Sequence, residues 1–220
     1  MDRLYRGFVQ PGDLVFDVGA HVGDRVASFR RLGARVVAVE PQHAMARVLR
    51  LLYWLSRGVA IEEVAVGREP GRMRMMINAD NPTVSSVSAA FIDAARDAPG
   101  WETQRWTRST DVAVTTLDAL MAKHGRPSFI KLDVEGFEAE ALMGLSQAVP
   151  ALSFEFTTIQ REVALACVER CSVLGYTRFN AALGESQTFV GDWVNAADIS
   201  RWLIELPQSA NSGDVYAVTA

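Results

Sequence analysis

Short apolar runs alternate with amphipathic stretches along this chain. Residues 14–18, 36–39, 129–132 and 152–156 are mostly apolar runs of four or five residues. That is the length and texture of strands buried on both faces. A fifth run, 59–66, reads as strand three, with Glu62 and Glu63 inside it. Between the first two strands, 24–32 predicts a helix, with Asp24 in its first turn and Gly33 just past its end. The stretch 42–57 predicts a longer helix. Pro41 suits its start and Gly58 its end. Met45, Val48, Leu49, Leu52 and Leu55 form its apolar stripe, with Arg47, Arg50 and Arg57 off it. Further helices are expected at 117–124, from Glu135 and Glu138 onward, at 161–174 and at 195–202. Short strands are expected at 72–77, 111–116, 176–180, 187–190 and 215–219. Five parallel strands closed by a terminal hairpin make an α/β sheet with helices on both faces.

The totals narrow the class. At 220 residues, 49% of them hydrophobic, the chain reads as a single domain, 1–220, with a substrate-side insert at about 68–110. The net charge of −4 argues against nonspecific nucleic-acid binding. No run of 18 apolar residues is present, so no membrane span is expected. The first dozen residues are too polar for a signal peptide, and a cytoplasmic protein is expected. Cys167 and Cys171 sit four apart among Val163, Leu165, Val168 and Leu174, which places both in a core.

Chemistry first appears where strand one ends. Asp17 is followed by Gly19, Ala20, His21, Val22 and Gly23, and then by the helix. Glycines let a ligand approach the backbone without meeting a Cβ, and the helix start behind them offers unpaired N–H groups. Strand two ends on Glu40, 21 residues after Gly19. A carboxylate there can accept hydrogen bonds from both hydroxyls of a ribose. The unit therefore asks for a ligand with a ribose and a negative group. The G-x-G-x-x-G spacing of dinucleotide sites is missing, which counts against a nicotinamide-dependent oxidoreductase. The spacing resembles the first motif of class I S-adenosylmethionine-dependent methyltransferases.

The second informative stretch is Phe129 to Gly136, Phe-Ile-Lys-Leu-Asp-Val-Glu-Gly. Lys131, inside a central strand, needs a carboxylate partner or a route to water. Asp133 falls at the strand's carboxyl end, where open α/β sheets place their chemistry. Glu155 interrupts the neighbouring strand. It either faces the same pocket as Asp133 or pairs with Lys131. Glu138 reads as a helix-dipole acid, and Glu135 is open. Trp101 and Trp106, in the poorly periodic stretch 91–108, read equally as a lid over substrate or as anchors for the insert. His43 reads as a solvated residue and His124 as a helix-end residue. Asn81-Pro82-Thr83 reads as a turn.

Four stretches together resemble the FkbM-type methyltransferase family: Phe16 to Gly23, Val39-Glu-Pro41, Thr116-Leu-Asp118, and above all Lys131-Leu-Asp-Val-Glu-Gly-Phe-Glu138. The resemblance covers about 14–157. It implies the Rossmann-like, seven-stranded class I methyltransferase sheet, mostly parallel with an antiparallel C-terminal strand. It also implies S-adenosylmethionine as cofactor, held by Asp17, Gly19, Ala20, His21, Gly23, Glu40 and Pro41. Adenine is expected at the edge of strand three, near Glu63, Val64 and Ala65. The family usually has Asn where this chain has His21, and a histidine there adds a group that titrates near neutrality. Family members typically methylate hydroxyl groups, which implies O-methyl transfer to a small molecule, sugar or secondary metabolite. Asp133 and Glu155 are the candidate catalytic pair, as a base and its support or as oxygen ligands of Mg²⁺. Residues 1–12 lack the helices that often cover substrate, so the acceptor side is open or closed by a second subunit of a homo-oligomer. The alternative of a different class is a cofactor-binding partner subunit without transferase activity.

Overall fold

The run at the start of the chain forms β1 (Leu14–Val18), with all five residues buried. In the computed structural model, which describes residues 1–96 and 98–219, a short helix precedes it, α1 (Asp2–Tyr5). Then come α2 (Asp24–Arg31), β2 (Arg35–Val39), α3 (His43–Tyr53) and β3 (Val59–Glu62). A second group follows, with β4 (Ala65–Val66), β5 (Gly71–Asn78), α4 (Ala89–Arg96) and β6 (Trp106–Thr115). Alternation then resumes through α5 (Leu117–His124), β7 (Phe129–Leu132), α6 (Glu138–Met143) and β8 (Ala151–Thr157). The chain ends with α7 (Arg161–Leu174), β9 (Arg178–Leu183), α8 (Ala196–Glu205) and β10 (Ser212–Val218).

The main sheet has the order β3-β2-β1-β7-β8-β10-β9. Its first five strands are parallel, and β10 runs antiparallel between β8 and β9. This is the expected seven-stranded sheet. Tyr5, Phe29 and Leu49 of α1, α2 and α3 close over Val15, Val36 and Phe129 on one face. Leu117, Leu142 and Cys167 of α5, α6 and α7 close over Phe16, Ile130 and Phe154 on the other. Cys167 and Cys171 are unbridged and buried. The chain leaves β1 toward β2 and β3, then returns to place β7 on the other side of β1. That reversal opens a crevice at the carboxyl ends of β1 and β7.

Several elements depart from the sequence reading. The expected strand at 59–66 is two strands. β3 stays against β2, while β4 swings out to pair with β6 in a separate sheet of order β4-β6-β5. Two successive carboxylates end the first piece. Glu62 goes to Lys123 and His124, and Glu63 turns outward to His43 and Arg50. Helix α3 stops at Tyr53 rather than 57. Of its expected stripe only Leu49 is fully buried, and Val48, Leu52 and Leu55 face solvent. Residues 91–108 contain most of helix α4, which the pattern missed because four of its eight positions are alanine and carry little periodic signal. The extended piece at 111–116 is the end of a ten-residue strand. No named strand forms at 187–190, where Phe189 makes a single bridge to Ala182. Glu135 lies ahead of α6 in a left-handed turn with φ +54°, and does not open that helix.

Trp101 and Trp106 resolve toward anchoring. Phe91 of α4 meets both edge-on, with ring centres 5.4 and 6.3 Å apart. Trp106 Nε1 donates to the Val84 carbonyl. This small core of Val84, Phe91, Ile92, Ala95 and Trp101 is separate from the two main ones. Because Phe91 has no exposed surface, Phe91→Ala should cost about 3–5 kcal/mol. Urea unfolding would measure it, and a loss under 1 kcal/mol (~) would show that the cluster is not tightly packed.

Candidate active site

The loop after β1 turns on backbone conformations that few residues adopt. Gly19 has φ +86°, His21 +46° and Gly23 +92°. A Cβ on Gly19 would lie 1.7 Å from the carbonyl oxygen of Asp133. The ends of β1 and β7 therefore touch through backbone, and only glycine allows it. A Cβ on Gly23 would meet Leu49 and Tyr53 of α3. The Gly19 and Ala20 amides donate to the Val39 carbonyl, tying the loop to β2.

Glu40 closes the other side. It is buried, its Oε2 accepts from the His21 amide at 2.9 Å, and its Oε1 accepts from the Gln42 amide at 2.8 Å. A carboxylate has about four acceptor sites, so lone pairs remain for further donors. Burial pushes its pKa up to about 7, against the pull of the two backbone amides.

Together these residues bound a cleft of about 360 Å³. Gly19, Ala20, His21, Glu40, Pro41, Val64, Ala65, Asp133 and Glu155 all line it, as does Glu135. The second sheet and its loop supply a further wall through Met75, Thr83, Ser85 and Val87. Asp17 and Gly23 stand behind the lining rather than on it. Glu63 also stays outside it, spent on His43 and Arg50. Asp17 is buried in β1, opposite Lys131 in the register. Its Oδ2 has no hydrogen-bond partner, and burial pushes its pKa up to about 7 against the pull of Lys131.

The floor is acidic. Asp133, Glu135 and Glu155 each bring a carboxylate oxygen within 4.8 Å of the others. Lys131 sets their state. Its Nζ donates to Asp133 Oδ2 at 3.1 Å and to Asp214 Oδ1 at 2.7 Å. The expected alternative, in which Glu155 is the partner of Lys131, does not occur, because β10 brings Asp214 to the ammonium instead. Burial alone would raise the Asp133 pKa, but the Lys131 ammonium, a hydrogen bond with Glu155 and the Arg25 charge together hold the carboxyl below its ordinary value. Burial, with the Asp133 charge added, pushes Glu135 and Glu155 well above theirs. Glu138 opens α6, as expected of a helix-dipole acid. It is buried, its Oε1 accepts from the Val134 amide at 2.9 Å, and burial lifts it to about 7. That bond and Ser86 Oγ donating to the Glu135 carbonyl at 2.6 Å fix the turn carrying Glu135.

Two lining residues escaped the sequence reading. Arg25, in the first turn of α2, bonds Glu185 at 2.7 Å and leaves its buried Nε without a partner. The signal was a cation directly behind the glycine loop. Glu135 stands inside the lysine–acid run, but its left-handed backbone has no local sequence mark that would assign it to the cleft. His21 Nε2 is also buried with no partner among the described residues, and burial lowers the imidazole pKa.

Lys131→Met should destabilise the protein by about 3–5 kcal/mol, because two buried carboxylates lose their cation. Denaturant unfolding reads this, and pairing the change with Asp214→Asn should recover part of the loss. No recovery would mean that the two groups are not coupled.

Comparison with known proteins shows the family of this chain. The model of the methyltransferase FkbM domain matches residues 17–174. Among solved structures, a TehB-like SAM-dependent methyltransferase from Corynebacterium glutamicum superposes with a TM-score of 0.50 at 11% identity, over 100% of this chain and 86% of that one. Fibrillarin from Aeropyrum pernix, solved with S-adenosyl-L-methionine natively bound, gives 0.49 at 9% identity, over 96% and 68%. At these identities the likeness is one of fold. No curated protein sequence matches the chain, and no helix among the described residues is long and apolar enough to cross a membrane. The family match spans well over half of the sequence and takes in both the glycine loop and the lysine–acid run, so this chain belongs to the FkbM-domain family of S-adenosylmethionine-dependent methyltransferases.

Proposed function

We propose that this protein transfers a methyl group to a hydroxyl of a small molecule, such as a sugar or a secondary metabolite. The observation that carries the reading is the meeting of Glu40 and the Asp133–Glu135–Glu155 floor in one cleft. Glu40 accepts the ribose hydroxyls. Gly19, Ala20 and His21 meet the methionine end, with Arg25 toward its carboxylate. Pro41, Val64 and Ala65 flank the adenine. The unpartnered buried nitrogens of His21 and Arg25 suit a ligand with polar ends. Asp17 and Gly23 act from behind, as supports of the loop.

Bound S-adenosylmethionine supplies a methyl group that is already strongly electrophilic. What remains for the protein is to hold the acceptor oxygen in line with that carbon and to take its proton. Asp133, kept ionised by Lys131, orients the hydroxyl and accepts the proton as the new O–C bond forms and the C–S bond breaks. Glu155, kept protonated by burial and by the Asp133 charge, supports it by hydrogen bonding. The stretch 68–110, with its separate sheet and α4, forms the acceptor-side wall of a single domain.

A second reading uses a metal. The three carboxylates are an all-oxygen donor set of the kind Mg²⁺ prefers. An ion there would be held by Asp133, Glu135 and Glu155 and would polarise the acceptor oxygen. The Lys131 ammonium already neutralises one Asp133 oxygen, so the base comes first. Turnover that survives a chelator supports the base, and loss restored by Mg²⁺ supports the metal.

Calorimetric titration with S-adenosylmethionine should show saturable binding that Glu40→Ala weakens about tenfold or more, as loss of bonds to a charged group implies. Because the Glu40 pKa is raised to about 7 and the ionised form is the acceptor, affinity should rise with pH through that value. It should fall below that value, and Glu40→Gln should flatten the profile. A wild-type profile unchanged across this range would remove Glu40 from the ribose site. Asp133→Asn should leave cofactor affinity within a few-fold (~) and lower turnover by about 10²–10⁴-fold. Lost binding with unchanged single-turnover chemistry would overturn the base assignment, and cofactor binding without turnover on any hydroxylated acceptor would favour the partner-subunit reading.

A further inference from the structure

Helix α3 is apolar on two opposite sides. Ala46 and Leu49 pack inward. On the outer side and in the turn that follows, Leu51, Trp54 and Leu55 are each 75% exposed, and Leu52 is 60% exposed. Singly exposed apolar residues are ordinary, but a contiguous cluster of this kind marks an interaction surface. None of these four residues lines the cleft, whose wall the chain meets at Pro41 and Gln42, just ahead of α3.

The charge around the cluster points to its partner. There is no acidic residue between Glu40 and Glu62, although the whole chain carries −4. That interval holds Arg47, Arg50 and Arg57. Only Arg50 has a carboxylate partner among the described residues, Glu63 at 2.5 Å. Arg30 lies against Gly58, adding a fourth cation beside the turn. A tryptophan and leucines rimmed by arginines, of which only Arg50 has a carboxylate partner among the described residues, form a face that matches apolar acyl chains beneath negative headgroups. A second copy of the chain fits less well. In a two-fold pair the same patch meets itself, so the arginines would face arginines with no acid of either interval between them.

We propose that the outer face of α3 and the turn 54–57 form a docking surface for an anionic lipid bilayer, made by residues that do not line the catalytic cleft. The insertion is shallow and interfacial, and no segment spans the bilayer.

The test is co-sedimentation of the whole protein with vesicles of phosphatidylcholine alone and of phosphatidylcholine with phosphatidylglycerol, at low and high salt. The expected result is pelleting with the anionic vesicles that weakens with salt. Arg47→Gln with Arg57→Gln should weaken it about fivefold for each charge removed. Leu51→Gln with Leu55→Gln should abolish it while leaving the thermal unfolding midpoint unchanged, since both side chains are solvent-facing. Wild-type protein that stays in solution with anionic vesicles overturns the proposal. So does a wild-type dimer in sedimentation velocity that the leucine variant converts to monomer, because a second copy then covers the face.

Discussion

A lysine ammonium at the centre of a β-sheet must be neutralised where it stands. Lys131 has 1% of its side chain exposed, and Asp133 and Asp214 reach it from the end of its own strand and from β10. Strand β8 lies between β7 and β10, so the ammonium bridges across the strand that carries Glu155. Burial with the Asp133 charge pushes the Glu135 and Glu155 pKa values up, while the ammonium pulls that of Asp133 down. Neighbouring carboxyls are thereby pushed in opposite directions, the arrangement that acid–base pairs use.

The same strand end positions the glycine loop. Gly19 and Asp133 meet backbone to backbone, so the glycine loop and the acidic floor share one wall. Glu40 reaches back to the His21 amide and fixes the loop from the far side. A shift at either contact would move both halves of the cleft. The left-handed turn at Glu135, held by Ser86 and Glu138, brings a third acid to the floor from outside the strands.

The second sheet is what distinguishes this chain from a plain doubly wound domain. It begins just after Glu62 and Glu63, which pair with α5 and α3, where β4 leaves β3 to pair with β6. Its loop brings Thr83, Ser85 and Val87 to the cleft, and its own small core around Phe91 keeps it in place. Acceptor selection in the proposed reaction would rest on this wall, while the cofactor side rests on β1 and β2.

The sequence by itself determined the βαβ unit, the parallel strands, the glycine loop, Glu40 and the lysine–acid run. Each is a local pattern, in which strand and helix periodicity, a small-residue turn and an acid at a strand end are written within a few neighbours. Tertiary structure decided the pairings. Asp214 is 83 residues from Lys131, and nothing local marks it as the partner in place of Glu155. The division of 59–66, the turn at Glu135 and the solvent-facing side of α3 also depend on which distant groups compete for the same residues. Periodicity along one helix shows that it has apolar sides, but the packing of other elements determines which side is covered.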